Sequence, residues 1–252
     1  MSEIRATAPA APPVDKTGRA VQEMFAGVAP RYDLLNHLLS GALDVLWRRR
    51  SARALGLGRG ARVLDLCSGT GDQAVAVGRR GARVAAADFC LPMLALSRPK
   101  FARLRRRGEG RGGGTAAPLA ADALRLPFAD RGFDGATVSF GLRNVADLGR
   151  GLAELARVTA PGGRVAILEF ALPRLAPVRA VYLFYFRRVL PAIGRLLSAR
   201  GSAYSYLPAS VMEFPQRDDL CAALGAAGFG ATTWRDLALG TVCLYLGEKE
   251  EG

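Results

Sequence analysis

The chain has 252 residues, half of them apolar, and a formal net charge of +13. That length and apolar share support one large α/β domain with a substantial core, or two small domains, and exclude a disordered chain. Arginine supplies nearly all of the positive charge, with lysine only at 16, 100 and 249; GC-rich codon usage explains part of this bias, so the charge alone does not make a nucleic-acid binder.

Residues 1–18 are rich in Ala and Pro and predict a disordered tail. No signal peptide is expected there, because the N-terminus lacks a continuous apolar core. Residues 20–56 read as helices. Val21, Met24, Phe25 and Val28 share a face, Pro30 breaks the pattern, and Tyr32, Leu35, Leu38 and Leu39 begin another. Trp47, Leu55 and Leu57 carry the apolar positions onward, beside the polar Asp33, Asn36, His37 and Asp44. Strand and helix then alternate: strand 62–67, helix 71–80, strand 83–88, helix 91–106, a flexible loop over 108–114, strand 116–121, strand 133–140 and helix 147–159. The run Arg103, Arg105, Arg106 and Arg107 reads as a helix end whose cations suit the macrodipole. Pro161, Gly162 and Gly163 predict a turn into strand 164–170.

Residues 175–214 form an aromatic helical insertion with Tyr182, Phe184, Tyr185, Phe186, Tyr204, Tyr206 and Phe214. Arg179, Arg187, Arg188 and Arg195 interrupt its most apolar part, so it is not expected to span a bilayer. A helix over 216–228 and two strands over 229–247, turning near 238–241, close the chain. The alternation predicts a Rossmann-like α/β fold, a mostly parallel seven-stranded sheet with helices on both faces. The expected division is a tail (1–18) and one domain (19–252). That domain comprises a helical lid (19–58), a core (62–170), a substrate-side insertion (175–214) and a final helix with strands (216–247). The four cysteines (67, 90, 221 and 243) are far apart and His37 is the only histidine, so no protein-built metal site is expected. Reduced packing thiols fit a cytoplasmic protein.

The stretch Arg62 to Ala74, RVLDLCSGTGDQA, carries the chemistry. A strand, a glycine turn and a helix in that order place a nucleotide-like ligand at the first strand's carboxyl end. Gly69 and Gly71 offer bare backbone to such a ligand. The turn matches the G-x-G-x-x-A form of a dinucleotide fingerprint, with Asp88 placed for a ribose. Asp65 and Asp72 flank it, however, and negative charge there disfavours a diphosphate. An ammonium and a sulfonium suit them better, as in S-adenosylmethionine. Asp88 then holds the ribose, Asp122 and Ala123 lie near the adenine, Asp65 and Gly69 lie near the methionine end, and Ser139 faces the same crevice.

VLDLCSGTGD, LPFADRGFDGATVSFGLRNV and PGGRVAILEF resemble the class I methyltransferases of quinone biosynthesis. The match is to the UbiE/MenG group of demethylmenaquinone and 2-polyprenyl-6-methoxy-1,4-benzoquinol C-methyltransferases. VQEMFAGVAPRYDLLNHLLSGALDVLWRR and YSYLPASVMEFPQRDDL resemble the same family. The resemblance spans residues 20–247, and SFGLRNV is its most specific part. It implies S-adenosylmethionine bound by Thr70, Asp88, Asp122 with Ala123, and Ser139. The implied reaction is methyl transfer to a ring carbon of a prenylated quinol. Cys67 stands where the broad pattern often has its first glycine. Arg143 and Asn144 are the candidate catalytic residues at the quinol oxygens, with Tyr32, Asp33 and His37 as further candidates from the lid. The aromatic insertion suits a prenyl tail, a membrane surface at the inner face, or a second subunit. No nucleic-acid partner is expected.

Overall fold

The computed structural model describes residues 18–29, 32–108, 113–189 and 202–251. The expected tail, the break at Pro30, most of the glycine-rich loop near 110, and residues 190–201 of the insertion with Arg195 lie outside the described residues. So do the side chains of Val28, Leu35, Leu39, Arg187 and Tyr204.

Three N-terminal helices, α1 (Gly18–Val28), α2 (Tyr32–Leu39) and α3 (Leu43–Ala54), lead into the sheet. The strands are β1 (Arg62–Leu66), β2 (Arg83–Asp88), β3 (Thr115–Ala120), β4 (Phe133–Ser139), β5 (Thr159–Phe170), β6 (Phe229–Leu237) and β7 (Val242–Lys249). Among the described residues they form one sheet in the order β3-β2-β1-β4-β5-β7-β6. Strands β1 to β5 pair in parallel; β7 runs antiparallel to both β5 and β6. From β1 the chain builds outward through β2 to β3, then returns to the other side of β1 as β4. The carboxyl ends of β1 and β4 therefore flank the crevice where such sheets take ligands.

Helices α4 (Asp72–Gly78), α5 (Leu91–Gly108), α6 (Leu148–Val158) and α9 (Asp218–Ala226) cover the faces. Alternate strand residues feed two cores, because side chains point to opposite faces with a period of two. Leu64, Leu66, Val138 and Ile167 meet Leu152, Leu155, Leu220 and Leu224 on one side. Val63, Val84, Ala166 and Leu168 meet Trp47, Leu55, Val77 and Phe101 on the other. With both faces covered, β1 reads as a nearly unbroken apolar run. In α6 the spacing of Leu152, Leu155, Ala156 and Val158 gives one buried stripe, and the Asp147 side chain caps it by accepting from the Arg150 N–H at 2.9 Å.

One expectation needs correction. The Pro161–Gly163 segment does not precede the fifth strand but lies within it. β5 already pairs at Thr159 with Phe133, and the register then jumps to Arg164 opposite Gly135. The extra residues leave the ladder as an irregularity, which Gly162 permits with φ 70. The described residues of the aromatic insertion form α7 (Ala176–Phe184), a π turn over Tyr185–Val189, and α8 (Ser202–Glu213).

Candidate active site: two cavities with a common wall

The turn after β1 takes left-handed backbone at Cys67 (φ 54), Gly69 (φ 55) and Gly71 (φ 84). That conformation is costly for a residue with a Cβ. The Cys67 side chain has room because Gly141, after β4, stands opposite; a Cβ on Gly141 would overlap the Cys67 Cβ. The departure at position 67 is thus matched by a glycine in the SFGLRNV segment. Burial pushes the Cys67 thiol well above its usual range, so it stays protonated.

Gly69 lines a cavity of about 280 Å³ at the strand ends. Gly71 does not offer bare backbone to a ligand, contrary to expectation. A Cβ there would sit 2.6 Å from the Phe101 ring, so its missing side chain lets α4 pack on α5. Asp65 also lies beneath the cavity rather than on its lining. It is wholly buried; its Oδ2 accepts from the Ser68 hydroxyl at 2.7 Å, and its Oδ1 has no hydrogen-bond partner among the described residues. Loss of hydration pushes its pKa from 3.8 up to about 7, opposed by the Ser68 hydrogen bond and by the Arg48 charge. Asp72 is not a free carboxylate beside the loop, because Lys100 Nζ lies 2.6 Å from its Oδ1. The charge argument against a diphosphate therefore rests on Asp65 and Asp88 rather than on Asp72.

Asp88, at the end of β2, lines the cavity and accepts from the Gly69 N–H and the Cys90 N–H, each at 2.8 Å. Burial raises its pKa, and the backbone donors pull it back. Each oxygen keeps a lone pair for a ligand hydroxyl. Asp122 and Ala123 line the same cavity, and Asp122 Oδ1 accepts from the Leu124 N–H at 2.9 Å. Ser139 at the end of β4 and Asn144 just beyond it complete the wall; Ser139 Oγ and Asn144 Oδ1 are buried without partners among the described residues. Six expected cofactor positions, Gly69, Thr70, Asp88, Asp122, Ala123 and Ser139, therefore line one cavity, and the candidate catalytic Asn144 lines it with them.

A second cavity, about 610 Å³, lies under the N-terminal helices. Its walls are apolar, built from Trp47, Phe140, Phe170, Tyr182, Phe186 and Leu207. Arg143 belongs here, so the two candidate catalytic neighbours face different cavities. Arg143 is buried: its Nη1 donates to Glu169 Oε2 at 2.9 Å and to the Phe140 carbonyl at 2.6 Å, and its guanidinium lies 5.2 Å from the centre of the Phe170 ring. Its Nε and the Tyr182 hydroxyl have no partners among the described residues. Phe25, Tyr32, Arg48 and Phe140 border both cavities.

The lid is tied to the glycine loop. The Thr70 hydroxyl donates to Asp33 Oδ1 at 2.5 Å, and Lys100 Nζ lies 2.6 Å from Asp33 Oδ2. His37 Nδ1 lies 3.0 Å from Asp44, so His37 is anchored to α3 rather than aimed at a substrate. Ligand atoms of His37, Asp44 and Asp72 come within 4.8 Å of one another, but Asp44 already holds His37 and Asp72 holds Lys100, which makes the group an ion-pair cluster.

Glu169, Lys100 and Arg48 escaped the sequence reading. Each had a signal: an acid inside the apolar run RVAILEF, one of three lysines in an arginine-rich chain, and an arginine beside Trp47, one helical turn after Asp44.

The sequence profile of the ubiE/COQ5 methyltransferase family matches residues 14–249. The demethylmenaquinone methyltransferase of Thermus thermophilus is 46% identical over 228 residues, covering 90% of this chain and all of that protein. The ubiquinone/menaquinone biosynthesis C-methyltransferase UbiE of Geobacter sulfurreducens is 43% identical over 235 residues, covering 92% of this chain and 89% of that one. Among solved structures, the [4+2]-cyclase SpnF superposes with a TM-score of 0.67 at 19% identity, covering 98% of this chain and all of its own. A Thermotoga maritima S-adenosylmethionine-dependent methyltransferase, titled a possible histamine N-methyltransferase, gives 0.64 at 16% identity, covering 91% and 99%. A cyclase and a methyltransferase on one scaffold fix the fold and not the reaction. The profile match and the relatives' identity fix more: the chain belongs to the ubiE/COQ5 methyltransferase family.

Proposed function

We propose that the protein is a C-methyltransferase that moves a methyl group from S-adenosylmethionine to a ring carbon of a prenylated quinol, with demethylmenaquinol as the acceptor. The observation that carries this reading is the pair of cavities, one set at strand ends with Asp88, Asp122 and Ser139 on its lining, one walled by large apolar rings, meeting at Phe25, Tyr32, Arg48 and Phe140. The names of the Thermus and Geobacter relatives support the acceptor class. S-adenosylmethionine supplies a methyl group on a positively charged sulfur, ready for attack by an electron-rich carbon.

The residues of the first cavity fit that cofactor. Asp88 takes the ribose hydroxyls, and Asp122 with Ala123 borders the adenine. Gly69, Thr70, Ser139 and the buried Asp65 surround the amino-acid end, where Ser139 Oγ has no other partner among the described residues. In the second cavity, apolar walls cover the prenyl chain, with burial contributing roughly 25 cal/mol per Å². Two of its polar atoms without a hydrogen-bond partner among the described residues, Arg143 Nε and the Tyr182 hydroxyl, match the two oxygens of a quinol. Arg143 remains charged, so it steadies a phenolate that makes the ortho carbon nucleophilic and does not accept the proton. Glu169 and the Phe140 carbonyl fix its orientation, and holding the two reactants in line supplies much of the rate.

The test is transfer of label from methyl-labelled S-adenosylmethionine to short-chain demethylmenaquinol. Transfer to neither naphthoquinols nor benzoquinols by a protein that binds S-adenosylhomocysteine overturns the reading. Arg143→Lys keeps a charge beside Glu169 and serves better than Arg143→Ala. Its cofactor affinity should be unchanged and its turnover at least about tenfold lower.

The outer side of α7 carries this reading to a membrane surface. Tyr182 and Phe186 face the acceptor cavity, while Val181 and Phe184 on the opposite side are 70% and 63% exposed, beside exposed Arg179 and Arg188. Among the described residues no helix is long and apolar enough to cross a membrane. Aromatic and aliphatic groups flanked by arginines suit the headgroup boundary, from which a prenyl chain would enter. Wild type should float with phosphatidylglycerol vesicles, and a Val181→Glu/Phe184→Glu variant should not. A wild type that stays in solution, or a self-association removed by the same changes, overturns the membrane contact.

A further inference from the structure

Arg48 is a buried cation without a full complement of partners. It sits on α3, 8% exposed, and borders both cavities. Its Nε lacks a hydrogen-bond partner among the described residues. The nearest carboxylate, Asp44, lies 4.0 Å from that Nε and is already engaged by His37 and Ser40 at 3.0 Å. The guanidinium carbon stands 5.2 Å over the Phe140 ring, which lends it a π face but no hydrogen-bond acceptor. A buried guanidinium so placed is unfavourable alone and becomes favourable when an anionic oxygen reaches it.

We propose that Arg48 binds the α-carboxylate of the cofactor's amino-acid end. This rests on the S-adenosylmethionine reading above and adds to it a recognition residue. An amino-acid end carries a cation and an anion on one carbon, so a buried site for it needs one group of each sign close together. Arg48 supplies the cation on the cavity's lining, and Asp65 lies beneath that lining, close enough for the Arg48 charge to oppose the rise of its pKa. The quinol oxygens are the weaker match. A quinol arrives neutral, whereas a carboxylate is charged at every working pH. The acceptor cavity also has its own polar atoms at Arg143 and Tyr182. Arginine suits the role because its planar fork meets a carboxylate with two parallel hydrogen bonds.

The test compares two ligands by calorimetry. S-adenosylhomocysteine carries the amino-acid end, and 5′-methylthioadenosine lacks it. Arg48→Gln should weaken S-adenosylhomocysteine by about tenfold to hundredfold while changing methylthioadenosine less than about twofold. Arg48→Lys should recover part of the loss. Arg48→Met keeps an apolar stem against Phe140 and is read in the same way, should the Gln variant fail to fold. Equal loss for both ligands makes Arg48 structural and overturns the proposal. Unchanged binding of both overturns it too, and a raised acceptor KM in that case assigns the guanidinium to the quinol. Failure of the wild type to bind either ligand instead removes the cofactor reading on which the proposal rests.

Discussion

The two cavities are built by different means. The smaller is made of strand ends and backbone: Gly69, Asp88, Asp122 and Ser139 each follow or end a strand, and their positions are set by the sheet register. The larger is made of side chains brought from many separate segments, among them Trp47 on α3, Phe140 and Arg143 after β4, Phe170 at the end of β5, Tyr182 with Phe186 around α7, and Leu207 on α8. A frame of paired strands allows little adjustment and suits a ligand of fixed shape. A cavity of large rings on helices can change its acceptor by changing side chains, with the sheet untouched. The lesson is that this scaffold separates the constant half of the reaction from the variable half, with Phe140 and Arg48 at the seam.

The sharpest way to break the comparison is at Glu169. It is fully buried with Arg143 as its partner, so Glu169→Ala leaves a buried guanidinium unpaired. A loss of about 3–5 kcal/mol in urea unfolding is expected, partly recovered by a Glu169→Gln/Arg143→Met pair. A loss below about 1 kcal/mol would show that the acceptor floor does not depend on this ion pair. Next comes Asp88→Ala. It removes two charged hydrogen-bond acceptors from the strand-end cavity and should weaken S-adenosylhomocysteine about a hundredfold by calorimetry, without changing the acceptor cavity's uptake of an apolar probe. Coupled loss of both would join what the comparison separates. Tyr182→Ala touches only the larger cavity. It should raise the quinol KM about tenfold and leave cofactor affinity alone.

The smallest effect follows pH. Asp65 has its folded pKa pushed up to about 7 from 3.8. Between those values the unfolded chain has lost the proton and the folded one keeps it, so stability falls as pH rises from about 4 to about 7. Asp65→Asn should flatten that slope. A cofactor ammonium favours the ionised form, so S-adenosylhomocysteine affinity should rise about fivefold from pH 6 to pH 8. Methylthioadenosine should show no such rise.

The contrast also explains what was readable beforehand. Strand ends are local: the alternation of apolar runs with Asp65, Asp88, Asp122 and Ser139 lays out the core sheet and its crevice in order. Gly71 misled because a glycine's empty side can face a ligand or a neighbouring helix, and only the packing against Phe101 distinguishes them. Asp72 misled because its partner Lys100 lies 28 residues away. Arg143 and Asn144 are adjacent in sequence yet face different cavities, since the short 3₁₀ turn over Leu142–Asn144 sends successive side chains in different directions. Glu169 and Arg48 left only a local trace in the sequence, because each matters through what it lacks or holds at a distance.

The tie between Asp33, Thr70 and Lys100 has a consequence for traffic through the enzyme. It bolts the second helix to the rim of the nucleotide pocket by ionic contacts that are only about a quarter to a third exposed. Were spent and fresh cofactor to exchange past that bolt, the second helix would have to lift from the rim in each cycle. Turnover at high quinol would then be paced by the door and not by the chemistry, and the door would loosen as dissolved salt competes for its charges.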